Sequence, residues 1–148
     1  MISENLYNQA VNVARTDNVD SLPDTVVLYS VSFLPTMENK DSAFRYISEN
    51  PTSMTIEKTE CGRNLLKMGF DFDILPDEDK AKAAEIWKIA SSRFIKAASG
   101  NVTAFVKNAD KRSVFRSVEL PEIMGNSAIK TINRIDKFDF IIQMGWQE

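Results

Sequence analysis

Trp87-Lys-Ile-Ala-Ser-Ser-Arg93-Phe-Ile-Lys-Ala-Ala-Ser99-Gly100-Asn-Val-Thr-Ala-Phe-Val-Lys107-Asn-Ala-Asp-Lys-Arg112-Ser-Val-Phe-Arg116-Ser-Val-Glu119 decides the fold. Ala84, Trp87, Ser91, Phe94, Ile95 and Ala98 recur at helical spacing and share one face. Gly100 stands where a left-handed helix stop is wanted, since it has no Cβ to clash. Beyond it the period changes to two, with Val102, Ala104 and Val106 on one side of a strand. A polar loop over 107–112 then predicts a hairpin into a second strand from Val114, ending on the carboxylate of Glu119.

Working outward, residues 3–15 read as a helix with Ser3 as N-cap and a stripe of Leu6, Ala10, Val13 and Ala14. The run from Val26 to Phe33 is β-branched and aromatic on both faces, which predicts a central strand. Asn39 to Glu49 reads as a short helix, capped by Asn39 or Asp41, with Phe44 and Ile47 inward; Asn50-Pro51 ends it. Thr52 to Thr59 reads as extended, and Glu60 to Met68 as a helix closed by Gly69. Phe70 to Leu75 reads as a loop or short extended piece. Pro76 with Asp77, Glu78 and Asp79 opens the long helix, where acidic groups offset the positive helix end. Pro121 to Gly125 is a helical turn, and Ile129–Ile135 and Phe138–Met144 read as further strands. The expectation is a single α+β domain over residues 1–148. Its N-terminal and central helices would pack on a mainly antiparallel sheet of about four to five strands.

A chain of 148 residues, 43% hydrophobic and 26% charged, suits one globular unit. No apolar run approaches the roughly 20 residues that cross a bilayer, so no membrane role is expected. Nothing near the N-terminus suggests a secretion signal peptide. The single cysteine, Cys61, excludes an intrachain disulfide. Histidine is absent altogether, which removes Ser-His-Asp and Cys-His nucleophiles, histidine metal sites and histidine-based ribonuclease mechanisms. Catalysis must then use carboxylates, Arg, Lys, Tyr, Ser or Thr. The net charge of −3 argues against a uniformly basic nucleic-acid surface. The five glycines are isolated, so there is no glycine-rich phosphate loop. Asp71, Asp73, Asp77, Glu78 and Asp79 lack a calcium-loop pattern and read as a solvated acidic loop, and no metal site is expected.

A family pattern runs through the middle of the chain. Its pieces are Arg45-Tyr46-Ile47 with Asn50-Pro51, Thr55-Ile56-Glu57-Lys58-Thr59, Gly62 and Leu65, and Ile86-Trp87. Ser92-Arg93-Phe94, Ala98-Ser99-Gly100-Asn101-Val102, Phe115 to Pro121 and Asn126 complete it. Over residues 42–135 these resemble the C-terminal toxin domains of bacterial polymorphic toxins of the contact-dependent inhibition, Rhs and type VI secretion types. The resemblance implies an antibacterial effector, delivered without a signal peptide to the cytoplasm of a target bacterium and neutralised by a cognate immunity protein. It picks out Arg45, Thr55, Glu57, Thr59, Ser92, Arg93, Ser99, Arg116 and Glu119.

Three readings of the chemistry stay open. The first is a metal-independent ribonuclease, directed at tRNA and needing no cofactor. Arg93 and Arg116 would hold phosphate, Thr59 would orient it, and Glu57 or Glu119 would be the base. The second uses NAD, as ADP-ribosyltransferase or NAD glycohydrolase. Leu28-Tyr29-Ser30, Ser53-Met54-Thr55 and a late Glu119 follow the order seen in ADP-ribosylating toxins, with Tyr29 and Thr55 binding NAD and Glu119 stabilising the ribosyl cation. The third is a non-enzymatic acidic immunity or binding protein.

Overall fold

The computed structural model describes residues 2–146. Its elements run α1 (Glu4–Thr16), β1 (Val27–Tyr29), α2 (Glu38–Glu49), α3 (Glu60–Lys67), α4 (Asp77–Lys96), β2 (Gly100–Phe105), α5 (Leu120–Gly125), β3 (Ile129–Ile132), β4 (Ile135–Asp136) and α6 (Lys137–Met144). A 3₁₀ turn over Ile56–Lys58 precedes α3, and a π-helical turn over Phe115–Glu119 precedes α5. The fold is α+β, with one four-stranded sheet in the order β1-β2-β3-β4.

Local chemistry accounts for most element ends. The Ser3 hydroxyl accepts the Leu6 N–H at 3.1 Å, one of the donors a helix start leaves orphaned. Helix α4 begins after Pro76 with three acids in its first turn and ends with Arg93 and Lys96 in its last, matching both ends of its dipole. Buried Asp79 also accepts the Ile2 N–H at 2.9 Å, tying the start of α4 to the N-terminus. Phe94, Ile86, Ile95, Val102, Ile129 and Ile132 are fully buried and join α4 to the sheet in one core.

The sheet departs from an antiparallel plan. β1 pairs parallel with β2 (Val27 opposite Thr103), β2 parallel with β3, and only β3 with β4 antiparallel. The cause is the connections: α2, α3 and α4 separate β1 from β2, and the π turn and α5 separate β2 from β3. Parallel neighbours need such crossovers. The expected hairpin partner from Val114 is instead helical. Phe115, Glu119, Leu120 and Ile123 are buried at helical spacing, a period that Val114, Arg116 and Val118 conceal. Phe138–Met144 is likewise helix α6: Asp136 caps it by accepting from the Phe138 and Asp139 N–H groups, and Gly145 closes it at φ +71.

Three smaller expectations also change. β1 lies at the edge of the four-stranded sheet and is short; beyond it only an isolated bridge joins Val26 to Met54. Helix α2 starts at Glu38 without a side-chain cap: Met37 holds the cap position, and Asn39 lies inside the helix; Phe44 is half exposed rather than inward. Helix α4 ends at Lys96, before Gly100; the glycine (φ +78) opens β2, where a Cβ would strike the Asp24 carboxyl that accepts the Asn101 N–H at 2.7 Å. No helix among the described residues is long and apolar enough to cross a membrane.

Candidate active site

A cavity of about 800 Å³ opens beside the carboxyl end of β1, between α2, α3, α4 and the π turn. Its buried wall holds Trp87 and Ser91 from α4, Phe115 and Glu119 from the π turn, and Thr55. Phe44, Met37, Leu66 and Phe72 line it too and are partly exposed, which places them toward the mouth.

Each polar group is set by local structure. Glu57 sits on the 3₁₀ turn, backed by Gly62 of α3. A Cβ at Gly62 would collide with the Ile56 carbonyl oxygen and lie 2.7 Å from the Glu57 Cα. Thr59 fixes the same turn: its hydroxyl accepts the Gly62 N–H at 3.0 Å and donates to the Ile56 carbonyl at 2.6 Å. The Tyr29 hydroxyl donates to Glu57 Oε1 at 3.4 Å. Trp87 donates its indole N–H to the Phe70 carbonyl at 2.8 Å, which fixes the ring plane. Glu119 rides on the π turn, closed by the Leu120 N–H donating to the Phe115 carbonyl. Such one-residue expansions frequently mark functional positions.

The electrostatics single out one carboxyl. Glu119 is buried and faces the Glu57 charge; burial first, and Glu57 second, push it up to about 8. Among the described residues, no hydrogen bond offsets that penalty. Burial, and then the Glu57 charge, also raise the Tyr29 hydroxyl above the usual phenol range. A strongly shifted acid in an aromatic cleft is a functional-site signature with a stated cause. Ser30, just after β1, adds a buried hydroxyl with no hydrogen-bond partner among the described residues that also belongs to the cavity wall.

Of the residues singled out from sequence, Glu57, Glu119, Tyr29 and Thr55 line this one cavity. Thr59, Arg93 and Arg116 do not. Arg93 donates to the carbonyls of Ala14 (2.7 Å) and Asp17 (2.8 Å), stapling α4 to the end of α1. Arg116 donates to the Ala109 carbonyl at 3.3 Å and lies 4.6 Å over the Trp146 ring. Ser92 donates to Glu122 at 2.6 Å, and Arg45 is exposed on α2 away from the cavity lining. Among the cavity residues that sequence reasoning did not single out for the site are Lys40, Trp87, Ser91 and Phe115. The available signal was Ser91: a hydroxyl four residues after Trp87, on an otherwise apolar face.

No protein-family model matches the sequence, and no curated protein matches it. Solved structures do. Aplysia cyclase complexed with substrate NGD and product cGDPR is 22% identical with a TM-score of 0.52; the match covers 75% of this chain and 48% of that one. An ADP-ribosyl cyclase complexed with N1-cIDPR is 20% identical with a TM-score of 0.55, covering 86% and 62%. Porcine CD38, complexed with the covalent intermediate ribo-F-ribose-5'-phosphate, is 19% identical with a TM-score of 0.52, covering 88% and 68%. The chain spans about half to two thirds of the length of these proteins. At these identities the likeness is one of fold.

Proposed function

We propose that this protein cleaves the bond between nicotinamide and ribose in NAD. The observation that carries the reading is the Glu119–Glu57 carboxylate pair in an aromatic cavity. It is supported by a fold shared with proteins that handle nicotinamide-type nucleotides and cyclic ADP-ribose analogues. The nicotinamide ring of NAD is a cation, and Trp87, Phe115 and Tyr29 offer π faces to stack it. As the C1′–N bond breaks, its electron pair goes to the ring nitrogen and nicotinamide leaves neutral. Positive charge then moves onto C1′ and the ribose ring oxygen. An ionised Glu119 carboxylate, buried in the cavity wall, stabilises that charge or bonds to C1′. Water then delivers oxygen to C1′ and gives up a proton to Glu119. The incoming pyridinium charge itself favours the ionised carboxylate. Glu57, held by Tyr29, would orient a ribose hydroxyl.

This reading displaces the ribonuclease because the two arginines meant for phosphate are occupied with backbone carbonyls away from the cavity. The resemblance to polymorphic-toxin domains fits an effector that empties a recipient cell's NAD pool, with an immunity protein covering the cavity mouth. The test is direct. Purified protein is incubated with NAD, nicotinamide and ADP-ribose products are separated chromatographically, and Glu119→Gln serves as control. Nicotinamide released by the wild type alone is the expected result. Intact NAD beside degraded RNA in a parallel incubation would return the ribonuclease.

A further inference from the structure

We infer that Lys40 is the anchor for the substrate's phosphate end, fixing which way a nicotinamide nucleotide enters the cavity; this rests on the glycosidic-cleavage reading. Among the described residues, four carboxyl groups line the cavity (Glu57, Asp71, Asp73 and Glu119) against two ammonium groups, Lys40 and Lys58. A dinucleotide with a cation at one end and a pyrophosphate beyond it meets a surface that attracts the first and repels the second. The two lysines are the cationic groups of the described lining that can meet the phosphates. Lys58 already donates to the Ser53 carbonyl at 3.0 Å. Among the described residues Lys40 makes no such bond: its ammonium lies 3.6 Å from Asp73 and 5.5 Å from the centre of the Phe44 ring.

The Asp73 pair is easily exchanged. That carboxylate is 75% exposed, so water screens the pair heavily and it is worth little. A doubly charged pyrophosphate on the same ammonium gains more. The backbone holds Lys40 in place for the exchange. Its neighbour Asn39, buried, donates to the carbonyls of Ser30 (2.8 Å) and Lys107 (3.0 Å), pinning the first turn of α2 to the ends of β1 and β2. Lys40 thus bridges two parts of the mouth, α2 and the 71–75 loop, and trades the loop's carboxylate for the substrate's phosphate.

Nicotinamide riboside, which carries the cleavable bond but no phosphate, separates this role from a structural one. Steady-state nicotinamide release is measured with NAD and with the riboside for wild type, Lys40→Met, Lys40→Arg and Asp73→Asn. Lys40→Met is expected to raise KM for NAD about tenfold, about 1.4 kcal/mol, with kcat little changed. Its kinetics on the riboside stay at wild-type values, and Lys40→Arg restores NAD binding. Asp73→Asn, a surface change that leaves folding untouched, is expected to lower KM for NAD about twofold. Lys40→Met that leaves NAD unaffected, or impairs both substrates equally, overturns the assignment of Lys40 alone. So does an Asp73→Asn KM that rises or stays fixed, the deciding result should Lys40→Met not fold. Wild-type protein that releases nicotinamide from neither compound overturns the cleavage reading itself.

Discussion

Replacing Glu119 by Gln is expected to make the protein more stable and inactive, with the gain in stability set by pH. Burial and the Glu57 charge move the Glu119 carboxyl from its ordinary 4.5 to about 8. Between those two values the unfolded chain has released the proton while the folded chain keeps it. Stability therefore falls as pH rises, by about 1.4 kcal/mol per pH unit for this group, and levels off above the folded value. Below the unfolded value both states hold the proton and the penalty vanishes. Integrated, the burden on the wild type is roughly 3 kcal/mol at neutral pH and up to about 5 kcal/mol in base. Glutamine, near-isosteric and unable to ionise, carries none of it. The Tm difference between variant and wild type should then grow from near zero in acid to on the order of 10 °C in base for a chain of this size. Turnover of NAD moves the other way, losing about 10²-fold or more with the charge at the ribosyl cation. Guanidinium unfolding of both proteins at about pH 5, 7 and 9 checks the first part, and nicotinamide release the second. A stability gap that does not widen with pH, or a variant less stable in base, refutes the argument that this carboxyl is an uncompensated buried acid.

Other outcomes follow from the same geometry. kcat/KM for NAD should rise along a limb centred near the Glu119 value of about 8 as the free enzyme's carboxylate forms, and Glu119→Gln should lack that limb. Gly62→Ala should cost about 2 kcal/mol or more and depress turnover, because the new methyl meets the turn that carries Glu57; thermal melts and nicotinamide release report both. Arg93→Ala should lose roughly 2 kcal/mol by leaving the Ala14 and Asp17 carbonyls without their donors, with nicotinamide release per folded molecule unchanged.

Helices α1 and α4 were legible because their apolar periods agree with their caps, Ser3 in one and Pro76 with three acids in the other. The stretches over 114–119 and 138–144 were misread because short aromatic and β-branched runs fit both periods. For 138–144 the deciding groups were Asp136 and Gly145, which mark the helix ends when read as a pair. The strand directions were hidden because they depend on which elements cross between strands, and the Val114 segment was counted on the wrong side of that ledger. Glu57, Glu119, Tyr29 and Thr55 stood out as hydroxyl and carboxyl groups, and all four line the cavity. Arg93 and Arg116 stood out by charge, yet what a guanidinium faces is decided by tertiary packing: here carbonyls at the ends of other segments. Trp87 and Phe115 were hidden for the opposite reason, since an aromatic ring on a helical stripe looks the same whether it meets core or cavity.

The widened turn at Phe115–Glu119 makes chain length in this region a chemical variable. A π turn contains one more residue than the α turn it replaces. Excising one residue ahead of Glu119 there would restore ordinary winding, leaving the flanking turns in phase but rotating the residues inside the shortened turn around the helix axis. The carboxyl would be carried off its bearing on the cavity although every remaining side chain was retained. Shortening the 107–112 loop would bring no such rotation. Among related chains, the count of residues between Ser113 and Pro121 should therefore separate those that keep the pocket from those that only keep its letters.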